Sequence, residues 1–372
     1  MTTTSPTSSS PVPRAPAPRP AAPTHAAGRI GYACAAFCAA YGTLALAWTV
    51  TGRGYPFGAN DSDEKFAVLH HVPVAVGAPL FAVGLLAASV LALAASGPYA
   101  TPPRGAARRA LLAVGWAIGG ALLVAVPTTT ALALVAYAPM LLAGAPFGWP
   151  AGIDYGRLLD WSLLNQVLCL VGGVLLARTM LQWQRRTRGA CPACGLDVDA
   201  SARASTGLTA ARAARLGRRA VGVAVVIPLV YAVTRYAWVL DVPLLISEQH
   251  LRELRAEGGQ WVGAGIATFA VVGSLLTLGL VQRWGETFPR WIPWLGARPV
   301  PVALAVVPAS LVAVLVLAGT LGPISSPEFW RRHPVEALPL APMPLWAIAL
   351  AVATYAYRVR RRGTCAGCRS QA

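Results

Sequence analysis

The sequence predicts an all-α integral membrane protein with eight transmembrane helices, arranged as a tandem parallel repeat of two four-helix units. Three observations predict it. Of 372 residues, 56% are hydrophobic and only 12% charged, too apolar for an ordinary soluble domain. The apolar residues form long unbroken blocks, and about 20 such residues cross a bilayer core as a helix. The two halves also end alike, each with an apolar block, an arginine cluster and a Cys-x-x-Cys pair.

Residues 1–28 form a Pro/Ser/Thr/Ala tail with seven prolines, expected to be disordered and cytoplasmic because it cannot bury a core. Ile30–Val50 follows as an uncleaved first span, since the apolar stretch starts too late and runs too long for a signal peptide. Thr51–Lys65 is an outer loop, Val72–Ala95 the second span, Gly97–Arg109 an inner loop and Ala110–Val126 the third span. Thr128–Gly144 is apolar enough to cross. Counting it would give nine helices, separate the two Cys-x-x-Cys pairs across the membrane and place an arginine-rich segment outside. It is expected instead to be an outer-leaflet or re-entrant segment buried against the bundle. Trp161–Ala177 is the fourth span.

Gln182–Arg219 is the largest inner loop and the boundary between units, and within it Ala210–Arg219 is expected as a short basic helix along the membrane surface. Ala220–Leu240 is the fifth span and carries one charge, Arg235. Asp241–Gln260 is outside, with a short charged helix over Ser247–Glu257. Trp261–Val281, Val300–Leu321 and Leu338–Tyr357 complete the eight spans. Between the sixth and seventh, Trp284, Trp291 and Trp294 suit the bilayer interface. The expected organisation is a tail over 1–28, a first unit over 29–200 and a second over 201–372.

The net charge of +17 invites a nucleic-acid reading, which its distribution opposes. With the N-terminus inside, 23 of the 31 basic residues fall in inner segments, but only Asp197, Asp199 and Glu286 of the 14 acids do. This is the positive-inside pattern. The charge reads first as topology, with both termini cytoplasmic in a plasma membrane, and second as attraction for anionic lipid headgroups.

The halves resemble one another beyond the cysteines. Tyr41 and Trp48 match Tyr231 and Trp238, Val76-Gly77-Ala78 matches Val262-Gly263-Ala264, and Pro146-Phe147-Gly148-Trp149 faces Pro327-Glu328-Phe329-Trp330. An even number of spans per unit makes the repeats parallel, related by an axis along the membrane normal. Both cysteine pairs then meet on the cytoplasmic side.

Cys191, Cys194, Cys365 and Cys368 are therefore the candidate metal ligands. Four thiols in two such pairs suit one tetrahedral zinc, and the Cys-Pro-x-Cys-Gly form resembles a zinc-ribbon knuckle whose glycine permits the tight turn. A redox-active dithiol, activated by the arginines, and four plain thiols are the alternatives. Cys34, Cys38 and Cys169 lie inside spans and read as packing residues. His70, His71, His250 and His333, with Asp61, Asp63 and Glu64, form a weaker outer metal candidate. Arg235 sits about five residues from the outer end of its span, where snorkelling is the favoured reading over an intramembrane site. Asn165 and Gln166 are expected to bond between helices, and Gly115 and Gly119 form a close-contact pair. There is no phosphate loop, nucleophile elbow, zinc-protease motif or dinucleotide fingerprint, so the balance leans away from an enzyme.

Trp48, the Gly54-Tyr55-Pro56-Phe57-Gly58 loop, the run Gly144–Pro150 and the terminal Cys-x-x-Cys resemble actinobacterial-type multi-pass membrane proteins of unknown function. The resemblance covers most of the chain after residue 29 and implies the architecture without an activity. The expected function is a non-enzymatic membrane protein whose cytoplasmic zinc clasp couples its halves. A small-molecule transporter and a membrane thiol-disulfide oxidoreductase remain the alternatives. The expected partners are the lipid bilayer, with a second copy of the chain or a membrane or cytoplasmic protein left open, and no nucleic acid.

Overall fold

The computed structural model of the chain describes residues 25–58, 66–97, 103, 105–144, 146, 160–191, 195, 209–294, 296–332, 334–335 and 337–361. Their regular structure is helical, with a single isolated bridge between Thr287 and Pro299. We label the α-helices α1 (His25–Thr51), α2 (Val74–Ser96), α3 (Gly105–Gly120), α4 (Thr129–Gly144), α5 (Trp161–Arg186), α6 (Ala210–Val239), α7 (Glu248–Ala256), α8 (Gly259–Leu278), α9 (Val302–Ser325), α10 (Pro327–Arg332) and α11 (Met343–Arg360). A π-helical turn, Ala121–Ala125, prolongs α3.

Among the described residues, seven helices are long and apolar enough to cross a membrane: α1, α2, α3 with its π turn, α5, α6, α8 and α9. The eighth expected span, Leu338–Tyr357, is realised differently. Turns occupy Leu338–Ala341, and α11 starts only at Met343 behind Pro342, ending in Arg358 and Arg360. Its 18 residues rise about 27 Å, slightly less than a ~30 Å bilayer core. It lies against α6 and α9 with Ala347, Leu350, Ala353 and Tyr357 buried. The expected surface helix over Ala210–Arg219 is corrected outright. Thr209 caps the helix by accepting the Arg212 N–H at 3.3 Å, and α6 then runs unbroken for 30 residues. No proline or left-handed residue separates the basic turns from the apolar ones, so nothing stops propagation.

The helices pack as lipid-solvated helices do. Large aliphatics such as Leu80, Val83 and Val90 face outward, while Ala78, Ala82, Ala88 and Ala92 are fully buried. Lipid is as apolar as leucine, so small residues that allow close backbone approach gain more at helix contacts than bulky ones. Gly115 meets Met180 and Gly119 meets Leu176 where α3 crosses α5, which is the role expected of that pair. Ser89 of α2 donates to the Ala35 carbonyl of α1 at 2.9 Å.

In the first half α1 packs with α2 and α5, and α3 with α5; in the second α6 packs with α8 and α11, and α9 with α11. The halves meet along α9, which lies against α4 and the π turn. Thr129 donates to the Gly319 carbonyl at 3.0 Å. Leu132 packs with Val316, Met343 and Ala347. Beside them the Phe66 and Phe329 rings are 5.3 Å apart.

The chain leaves α3 and enters α5 at one end of the bundle, because Gln166 Oε1 accepts both the N–H and the hydroxyl of Thr128 at 3.0 Å. Residues 129–160 thus begin and finish at the same end. Helix α4 packs against α9 in the seam between the halves.

A Cβ at Gly322 would run into the Phe66 carbonyl. Gly322→Leu is therefore expected to destabilise the protein by about 1–3 kcal/mol, the usual effect of overpacking. Thermal unfolding of the detergent-solubilised variant checks this, with Gly84→Leu, where nothing lies within 4 Å of a Cβ, as the neutral control.

Candidate functional site

The arginine-rich end of the bundle holds the candidate metal ligands. Helix α5 ends with Thr187 as its cap, and Gly189 at φ 74° turns the chain so that the Ala190 N–H reaches the Arg185 carbonyl at 3.0 Å. Cys191 follows and is buried. Its carbonyl accepts the Gly195 N–H at 2.7 Å, and Gly195 has φ 76°. The expected glycine-dependent turn after Cys191 is thus present. Cys194, Cys365 and Cys368 lie outside the described residues.

Arginines on either side are consumed by backbone carbonyls. Arg186 donates to the Ala95 carbonyl at the end of α2. Arg360 donates to the Leu280 carbonyl just beyond α8, and also pairs with Glu286 at 3.0 Å. Arg361 donates to the Glu286 and Val300 carbonyls at 3.0 and 2.9 Å, and Tyr357 donates to that of Gly285 at 2.7 Å. Helix C-termini leave four unpaired carbonyls each, and a cation answers both those acceptors and the negative end of the dipole. Arg186 and Arg360 are related by the same sequence offset as Cys191 and Cys365; the first reaches the last turn of α2, the second a carbonyl two residues beyond α8.

Between α1, α5, α9 and α11 lies a crevice of about 330 Å³, lined by Arg178, Gln182, Arg185 and Arg358 opposite Ile30, Val302, Ala303, Val306 and Val307. The sequence reading passed over Arg178 and Gln182. Their spacing with Arg185, at i, i+4 and i+7, puts all three on one helical face and was the available signal. The crevice joins the end of α5, which leads into Cys191, to the end of α11, which leads toward Cys365.

The opposite end carries an aromatic cluster. Tyr41 and Phe81 rings meet at 5.6 Å, Tyr55 and Phe57 at 5.6 Å, and Trp48 and Trp161 at 6.3 Å, all edge-on. Gly77 leaves the space that Tyr55 fills, since a Cβ there would approach the phenol oxygen to 2.6 Å. Polar bonds tie the rings together. Tyr41 donates to Asn165 Oδ1 at 2.8 Å, and Trp161 donates to the Gly54 carbonyl at 2.8 Å. Asn165 and Gln166 therefore bond between segments, as expected. Cys34, Cys38 and Cys169 are fully buried among helices, as packing residues should be.

Arg235 does not simply extend to water. Its guanidinium lies over Tyr231 at 4.7 Å and over Trp238 at 3.8 Å, with Nη1 buried and without a hydrogen-bond partner among the described residues. It borders Gly263, where a Cβ would lie 3.5 Å from the Arg235 Cδ. Most of the outer metal candidate lies outside the described residues. His70 and His71 stack with each other at 5.1 Å, Asp61, Asp63, Glu64 and His333 lie outside the described residues, and those described hold no group of three metal-ligating side chains.

Two outcomes follow for the aromatic end. Tyr41→Phe is expected to lose about 0.6 kcal/mol and at most ~1.7, the range for interhelical side-chain bonds, measured by unfolding in detergent. Burial, with a smaller contribution from Cys169, pushes the Tyr55 phenol up to about 12 from its ordinary value of 10.0. The unfolded chain loses this proton first, so stability is unaffected by Tyr55 below about pH 10 and falls as pH rises from about 10 to about 12. Alkaline melting curves should show a shallower decline for Tyr55→Phe over that window.

No protein-family model matches the chain, and no curated protein or solved structure matches it either.

Proposed function

We propose that the chain is a non-enzymatic, multi-pass plasma-membrane protein whose two four-helix units form a tandem repeat clasped on the cytoplasmic side by zinc. The ligands are Cys191, Cys194, Cys365 and Cys368. The repeat reading is supported by the recurrence of one bond: Arg186 to the carbonyl of Ala95, and Arg360 to the carbonyl of Leu280. The clasp reading is supported by the shared crevice of Arg185 and Arg358, which lie six and seven residues before their cysteine pairs. The turn at Gly195 suits a knuckle, and four thiolates would satisfy zinc without an open position, making the site structural. With α11 counted as the eighth crossing, both termini share the arginine-rich side, which the positive-inside rule places in the cytoplasm. Such a clasp couples the two bundles for signalling or assembly.

A transport reading is favoured by one observation. The seam is closed at the aromatic end by α4, Gly319 and the Phe66–Phe329 contact, but opens into a crevice at the other. A seam between related halves is where alternating access is built.

Metal content and free thiols of the purified protein test the clasp, beside a Cys191→Ser/Cys365→Ser variant. About one zinc per chain, lost in the variant, is the expected result. Thiols that oxidise reversibly in pairs without metal would replace it with dithiol chemistry. Disulfide locking of Phe66→Cys with Phe329→Cys is expected to leave zinc bound, and would abolish solute flux only on the transport reading.

A further inference from the structure

We propose that the crevice between α1, α5, α9 and α11 is a binding site for one anionic phospholipid, which bridges the two halves at the arginine-rich end. Its phosphate sits against Arg178 and Arg358, and an acyl chain lies along Ile30, Val302, Val306 and Val307.

Four observations carry this. The crevice walls contain three arginines and a glutamine but no acid. Arg178 and Arg358 make no hydrogen bond or ion pair among the described residues, whereas Arg108, Arg186, Arg360 and Arg361 close by are all bonded to protein oxygens. The cations that the fold requires are thus distinct from the two turned into the crevice. The facing wall is aliphatic, and Val307 is 53% exposed, a surface that a soluble anion leaves unmatched and an acyl chain covers. The crevice also lies at headgroup depth, where α5 and α11 pass from apolar residues to their terminal arginines. Arginine matches phosphate with its planar set of donors, and basic pockets between transmembrane helices suit anionic headgroups. At about 330 Å³ the space falls in the range of ligand sites. Because Arg178 belongs to the first half and Arg358 to the second, a phosphate between them screens two like charges and links the halves. The proposal does not depend on the cysteines.

The test uses the full-length protein in detergent, offered phosphatidylglycerol, phosphatidylcholine or inorganic phosphate, with native mass spectrometry and thermal unfolding as readouts. One phosphatidylglycerol per chain should be retained and should raise the melting temperature, while phosphatidylcholine should do neither. Arg178→Gln/Arg358→Gln should weaken retention roughly fivefold for each arginine removed. Arg218→Gln/Arg219→Gln removes the same charge from an exposed stretch of α6 and should leave retention unchanged. Val307→Trp, which fills the aliphatic wall at an exposed position, should reduce lipid retention with every arginine in place, and serves where the double variant fails to fold. Stabilisation by inorganic phosphate equal to that by the lipid would overturn the proposal in favour of a soluble-anion site. Equal losses in the crevice and α6 variants would overturn it in favour of nonspecific attraction.

Discussion

A helix leaves its last carbonyls without partners of its own, and any that lie within the hydrocarbon must be answered by protein. In this protein the answer comes from a neighbour. The terminal arginine of α5 reaches the end of α2, and that of α11 reaches just past the end of α8. Each bond ties the end of one helix to a carbonyl at or near the end of another. The buried alanines of α2 and the Gly115 and Gly119 contacts on α5 lie on the first pair of helices so joined. The two bonds lie close to Cys191 and to the end of α11, the described residues nearest the candidate cysteines.

The other end is held by different physics. Between lipid-facing helices apolar burial gives little net drive, so specificity comes from shape and from polar bonds whose alternative is an unsatisfied group. Rings packed edge-on, the Tyr41–Asn165 bond and the clamp of Gln166 on Thr128 do this work in the first half. The second half keeps the tyrosine and tryptophan but inserts Arg235 between them.

These two ends make the seam between halves asymmetric. At the aromatic end α4 and the glycines of α9 bring backbone against backbone. At the arginine end a basic crevice lies between α1, α5, α9 and α11. A zinc clasp and a bridging phospholipid would both act there, one through the segments beyond the helices and one within the membrane.

Composition and block length alone determined the class of the protein, because unbroken apolar runs have no other stable solvent than lipid. Charge asymmetry and the knuckle spacing likewise pointed to the arginine-rich end, and Gly195 adopts the left-handed turn expected of it. The pairing of Asn165 with another helix was also legible, since a buried amide must find a partner. What the sequence left open were matters of neighbourhood. The continuity of α6 through its basic turns, the late start of α11, the lodging of α4 in the seam and the stacking of Arg235 depend on which surfaces lie alongside, and no local pattern encodes that. The crevice is the clearest case. Arg178 and Arg185 share a helical face that could be seen in advance, but Arg358 joins them only because two helices whose ends are 174 residues apart in the chain, at Arg186 and Arg360, border the same crevice. Packing decided that proximity, and with it the place where a ligand can bind.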